Sequence, residues 1–161
     1  VGNYEPRHDL LPLGGSEGWD KDLEHGLLGE NLVETFQRDI AAGSFEVKTD
    51  KWYNGRMVVE TDQNPGGRGW KESGINVTEA TWWAYVHNLD GGMSIVRVER
   101  LRRYIDMRVK SGKLRKRDFA EGTENPTRGY LLYPDAVKDL LNNPLYNAPE
   151  EYDDLGTEER V

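Results

Sequence analysis

Phe45-Glu46-Val47-Lys48-Thr49-Asp50, then Asn54-Gly55, then Met57-Val58-Val59-Glu60-Thr61, is the stretch on which the fold of this chain turns. Over 45–50, apolar or β-branched residues alternate with charged ones, the period-two signature of a strand with one largely apolar side and one charged side. Asn-Gly is the pair favoured in a tight two-residue turn, whose central residues sit at positive φ. The spacing therefore predicts a hairpin, 45–50 running out and 57–61 returning. Such a pairing carries Asp50 and Glu60 to one end of a sheet, where two hard oxygen ligands converge in the way Mg²⁺ favours. Lys48 lies two residues before Asp50 and so on the same strand face, which Glu46 continues.

Outward from this stretch the pattern changes period. Leu23, Leu27, Leu28, Leu32, Val33, Phe36 and Ile40 recur at helical spacing and predict an amphipathic helix over 22–42, closed by Gly43. Residues 1–20 carry Pro, Gly and charge without periodicity and predict an irregular arm, with Leu10, Leu11 and Leu13 resting on the core. Downstream, 64–69 is a Gly- and Pro-rich loop and 76–80 a short helical turn. An aromatic strand follows over 82–87, then an Asp90-Gly91-Gly92 turn and a strand over 94–98. A basic helix over 99–110, a short edge strand over 129–133 and a helix started by Pro134 over 135–141 complete the order. The expected class is α/β or α+β: a mixed central sheet of about four or five strands flanked by helices. One domain over 21–145 is expected, followed by an acidic tail over 146–161.

With no Cys among 161 residues, cysteine nucleophiles and thiolate-bound zinc are excluded; only His8, His25 and His87 remain, widely spaced, so a bound metal must be held mainly by oxygen. Neither a membrane-spanning apolar run nor a signal-peptide pattern stands out, so a cytoplasmic protein is expected. The net charge of −8 hides a strong asymmetry. Arg97, Arg100, Arg102, Arg103, Arg108, Lys110, Lys113, Arg115, Lys116 and Arg117 are opposed over 97–117 only by Glu99 and Asp106. Most charge runs are solvated helix faces, but this density is what phosphate neutralisation calls for. Lys71 and Ser73 can add phosphate contacts from a loop.

Gly29-Glu30 on the first helix, 45–50, and Val58-Val59-Glu60-Thr61-Asp62 together resemble the PD-(D/E)xK nuclease superfamily, in particular its small phage-encoded members. Lys71-Glu72-Ser73-Gly74-Ile75, Thr78-Glu79-Ala80, Trp82-Trp83 and Gly129-Tyr130-Leu131-Leu132-Tyr133-Pro134 look like downstream segments of the same phage proteins, so the resemblance spans roughly residues 22 to 141. It implies a restriction-endonuclease-like core, Mg²⁺ or Mn²⁺ held by Glu30, Asp50 and Glu60, and hydrolysis of DNA phosphodiester bonds in a phage-infected or prokaryotic cell. Thr49 stands in place of the name-giving Pro, and Asp62 occupies the position of the usual Lys after Glu60. The resemblance implies that Lys48 has taken over that role from the neighbouring strand.

In a second register Glu46-x-Lys48 is itself the signature, which keeps Glu46 among the catalytic candidates beside Lys48, Asp50, Glu60 and Glu30. The candidate nucleic-acid contacts are Lys71, Ser73, Arg97, Arg100, Arg102, Arg103, Lys113, Arg115, Lys116 and Arg117. The partner expected is DNA, a homodimer is the form expected of any self-association, and no membrane is involved. The alternative is a catalytically inactive protein of the same fold that binds nucleic acid or a host protein, a reading favoured by the missing Lys at position 62.

Overall fold

The computed structural model describes residues 16–148, which divide into two compact units at residue 42. The described part of the first unit is one helix, α1 (Ser16–Ala42), longer at its start than its apolar spacing suggested. Gly43 follows its end, and Leu23, Leu27, Leu28, Leu32 and Val33 are all exposed. The part of the expected arm that holds Leu10, Leu11 and Leu13 lies outside the described residues, as does the acidic run from Glu150 onward.

The second unit is α+β, with two sheets. β1 (Phe45–Thr49), β4 (Trp82–Asn88) and β5 (Gly92–Arg97) form a mixed sheet in the order β1-β4-β5. β2 (Met57–Gln63), β3 (Lys71–Glu72), β6 (Arg117–Phe119) and β7 (Thr127–Leu132) form an antiparallel one in the order β3-β2-β7-β6. Two helices complete the unit, α2 (Val98–Lys110) and α3 (Pro134–Asn142).

The expected hairpin between 45–50 and 57–61 does not form. β1 pairs in parallel with β4, Lys48 opposite Tyr85, and β2 pairs with β7 and β3 in the other sheet. The reason lies in two local side-chain bonds. The Trp52 amide donates to Asp50 Oδ1 at 3.1 Å and the Arg56 amide to Asn54 Oδ1 at 3.1 Å. Each is an Asx turn, in which a side-chain oxygen replaces the backbone carbonyl that a ladder would use. Tyr53 at φ 49° and Gly55 at φ 72° complete a wide loop instead of a two-residue turn. The ladder of β1 is carried one residue further on its β4 side, where the Asp50 amide donates to the Val86 carbonyl at 2.8 Å.

The core of this unit is assembled from β2, β4, β5, β7, α2, α3 and the Gly74–Asn76 turn. Trp83, Met57, Val59, Leu132, Leu101 and Leu140 are completely or almost completely buried, each such side chain contributing about 1.5–3 kcal/mol relative to exposure. Tyr146, at the start of the expected tail, is instead core: its ring meets Tyr104 edge-on, centroids 4.9 Å apart. Pro134 opens α3 at a position where its missing amide hydrogen costs nothing. The helical turn expected over 76–80 is a tighter one over Gly74–Asn76, and β3 and β6 are short edge strands that the charge of their residues concealed.

Candidate active site and candidate nucleic-acid interface

Alternation along β1 runs opposite to the usual arrangement of a surface strand. Phe45 and Val47 are 37% and 57% exposed, while Glu46 and Lys48 are half-buried and Asp50 is only 8% exposed. The charged side of the strand thus faces into the protein, where each ionised group carries a desolvation cost of several kcal/mol. Part of that cost is met locally. Lys48 Nζ lies 2.9 Å from Glu46 Oε1 and 5.8 Å from the centre of the Trp83 ring. Thr78 Oγ1 donates to Glu46 Oε2 at 3.4 Å. Asp50 is served less completely: Oδ1 accepts the Trp52 amide, but Oδ2 is buried without a hydrogen-bond partner.

Two contacts tie this face to the strand that bears Glu60. The hydroxyl of Tyr85 on β4 is bonded by the Val58 backbone and feels the charge of Asp50; burial pushes it above the ordinary phenol value, the Val58 amide pulls it down, and the charge of Asp50 adds to the rise. On the other flank the Thr78 amide donates to the Gly74 carbonyl, and Gly74 lies against the Glu60 backbone. A Cβ on Gly74 would come within 2.3 Å of the Glu60 carbonyl oxygen, and its φ of +52° disfavours any L side chain. Glu60 pairs with Gly129, where a Cβ would meet the Val59 carbonyl at 2.1 Å. Its own carboxylate accepts a hydrogen bond from Gln63 Nε2 at 2.8 Å. Glu60 is therefore held between two glycines and a glutamine, half-buried. Asp50 and Glu60 reach the second unit's interior from different sheets, not from one hairpin.

Glu30 lies on α1 in the first unit with its side chain exposed. Among the described residues no group of three or more His, Asp or Glu is placed to hold a metal ion. The oxygen donors to hand are thus the carboxylates of the second unit taken singly or in pairs. Asp62, two residues after Glu60, is bonded by Thr61 Oγ1 at 2.6 Å and by Lys116 Nζ at 3.1 Å. Burial raises its carboxyl, but Thr61, Lys116 and Arg128 together bring it below the ordinary value.

The basic residues fall into two sets. Arg100 donates to the carbonyls of Leu140 at 2.8 Å and Asn143 at 2.7 Å and to the Asn147 side chain. Arg102 donates twice to the Ile75 carbonyl and once to that of Thr78. Arg103 donates to the Tyr146 carbonyl at 2.8 Å. Arg97 lies over the Trp82 ring at 4.6 Å, and Lys116 pairs with Asp62. These guanidinium groups satisfy carbonyls at chain ends and turns, a structural use that a count of charges does not reveal. Lys113, Arg115 and Arg117 are exposed and form no ion pair among the described residues. Lys71 is exposed on β3. Ser73 stands before the Gly74–Asn76 turn, its amide bonded to the Thr61 carbonyl and its Oγ buried without a partner.

Tyr85, Thr78, Gln63 and Gly129 escaped the sequence reading as site residues; only the small residues flanking Glu60 carried any signal. Comparison of the chain with family models, with curated proteins and with solved structures finds no match. No helix of the described residues is long and apolar enough to cross a membrane.

Proposed function

We propose that the protein is a divalent-metal-dependent nuclease that hydrolyses DNA phosphodiester bonds, with Asp50, Glu60 and Lys48 as its working residues. The observation that carries the reading is the inward charged face of β1. Stability alone gives no reason to turn Glu46 and Lys48 inward, to bury Asp50 and to leave Asp50 Oδ2 without a partner, while Phe45 and Val47 face outward. An orphaned, buried carboxylate oxygen fits a hard cation, and Mg²⁺ is commonly bound through one or two carboxylates with waters and substrate phosphate oxygens completing the shell. Asp50 would hold Mg²⁺ or Mn²⁺, with Glu60 as the second carboxylate; the ion would supply Lewis acidity at the phosphate.

The chain's own residues do the rest. Glu46 keeps the Lys48 ammonium in place on the shared face, where it offsets negative charge that develops on the phosphate and orients the attacking water. Gln63 restrains the Glu60 carboxylate, and the Trp52 amide that of Asp50. DNA is the partner this reading requires, with the exposed cations near α2 meeting the backbone. The test is cleavage of a panel of linear, circular and branched DNAs with Mn²⁺ by the full chain and by Asp50→Ala and Lys48→Ala variants. Metal-dependent cutting by the native protein that both variants lose supports the reading, and undiminished cutting by the variants ends it.

The pairing of Asp62 with Lys116 and Thr61 favours a second reading. With an acid committed to an ion pair where the superfamily has its Lys, the protein would be an inactive member that binds nucleic acid or a host protein. Binding without Mg²⁺ and no cutting of any substrate would select it.

A further inference from the structure

The three exposed cations that the fold leaves unpaired are not scattered. Together with Arg108 they line a cleft of about 390 Å³ between the end of α2, the segment leading to β6, the end of β7 and the start of α3. Lys113, Arg115, Arg117 and Arg108 contribute the charge, and Leu131 and Tyr133 the wall. Arg117 Nη1 donates to the Tyr133 hydroxyl at 3.4 Å, and the guanidinium lies 6.0 Å from that ring, with Arg56 at 4.9 Å. Tyr133 thus keeps Arg117 at the cleft wall. Arg108 has a buried Nε without a partner.

Opposing charge is sparse. Asp135 is the acid at the lining, and Asp139 on α3 feels both Arg108 and Lys113 but is already bonded by Asn143 and Tyr146. Four cations against these two carboxylates leave an excess of two positive charges, in a space of the size that holds a small ligand. A phosphodiester carries one negative charge, whereas a phosphate monoester carries close to two at neutral pH, with three acceptor oxygens. Arg and Lys side chains lining one cleft from α2, the segment after it and the start of β6 match the monoester. We propose that this cleft binds the phosphate monoester of a nucleotide, at a strand terminus or on a free mononucleotide. The inference deepens the nuclease reading by naming the strand end as substrate feature, yet its ligand is recognised by residues that hold no metal.

The experiment measures binding of labelled short DNA strands to the full chain in EDTA, by fluorescence anisotropy, with a 5′-phosphate, a 3′-phosphate or hydroxyls at both ends. A phosphorylated end is expected to bind about ten-fold more tightly than hydroxyl ends, the scale of one added charge-assisted pair. The preference should vanish in the Lys113→Ala/Arg115→Ala double variant, both of whose sites are exposed, and persist in Asp50→Asn. Competition by a nucleoside monophosphate assigns the free nucleotide as a source; competition by phosphorylated strands alone assigns the strand end. Equal affinity for all ends, or a preference that survives the double variant, overturns the proposal. Because no divalent cation is present, failure here leaves the metal site untouched, and loss of cutting in Asp50→Asn leaves the cleft untouched.

Discussion

β1 and α2 both hold charge against the rest of the fold, and they do so to different ends. On α2 the guanidinium groups of Arg100, Arg102 and Arg103 close on backbone carbonyls of Leu140, Asn143, Ile75, Thr78 and Tyr146. On β1 the charges meet one another and a threonine, and one Asp50 oxygen meets nothing. The first arrangement is what a fold needs when helix ends and turns leave carbonyls exposed to a drying interior. The second is a cost that the fold only partly recovers through the Lys48–Glu46 pair and the Thr78 and Trp52 bonds. A buried charge that is fully bonded reads as architecture, and one left partly bonded reads as a site.

That contrast can be broken by substitution. The largest expected effect is on cleavage: Asp50→Asn should lower metal-dependent activity by at least about a hundred-fold. It should leave stability equal or raise it by about 1 kcal/mol, because a side chain with one buried oxygen lacking a partner is replaced by a neutral amide. Urea unfolding beside a cleavage assay checks both halves, and a marked loss of stability would place Asp50 with the architectural charges. Arg100→Ala should do the reverse, destabilising the protein by roughly 2–4 kcal/mol through carbonyls left without donors. A loss under 1 kcal/mol by the same measurement, within the scale of a surface residue, would dissolve the distinction from that side.

Acid should act on the α2 side of the comparison. The Asn143 amide holds the Asp139 carboxyl below its ordinary value of 3.8 despite burial, with the Tyr146 hydroxyl and the cations Arg108 and Lys113 adding to the effect. A carboxyl depressed in the folded state contributes stability that is present above its unfolded value and lost as pH falls through the folded one. Between about pH 5 and pH 2, Asp139→Asn should therefore lose less stability than the native protein, as followed by thermal midpoints. An identical acid dependence would show that the bonds from Asn143 and Tyr146 do not favour the ionised form. The smallest effect is expected where the charge faces water. Lys110 and Asp106 form a 2.7 Å pair on α2 with side chains 74% and 58% exposed, and Asp106→Asn should change stability by under about 0.5 kcal/mol.

Legibility followed the range of the interaction. The α1 spacing, the alternation of β1, the aromatic strand β4 and the Pro134 start of α3 were readable because each depends on neighbours a few residues away. The Asn54-Gly55 signal was misread for a reason equally local: Asp50 and Asn54 side chains bond the amides of Trp52 and Arg56, and the chain leaves the plane of a hairpin. Among the cations, Arg100 and Arg115 are indistinguishable by composition. They part company only because Leu140, Asn143 and Asn147 come within reach of one of them across some forty residues of chain.

Sequence by itself determined the α+β class, the strand that bears Glu46, Lys48 and Asp50, and the concentration of positive charge over 97–117, since period and composition are properties of short stretches. The tertiary structure alone decided that β1 lies beside β4, that its charged side faces inward, and which cations form no ion pair among the described residues. Those outcomes depend on long-range pairing and on which carbonyls packing brings within hydrogen-bond distance, and neither is written in the spacing of residues along the chain.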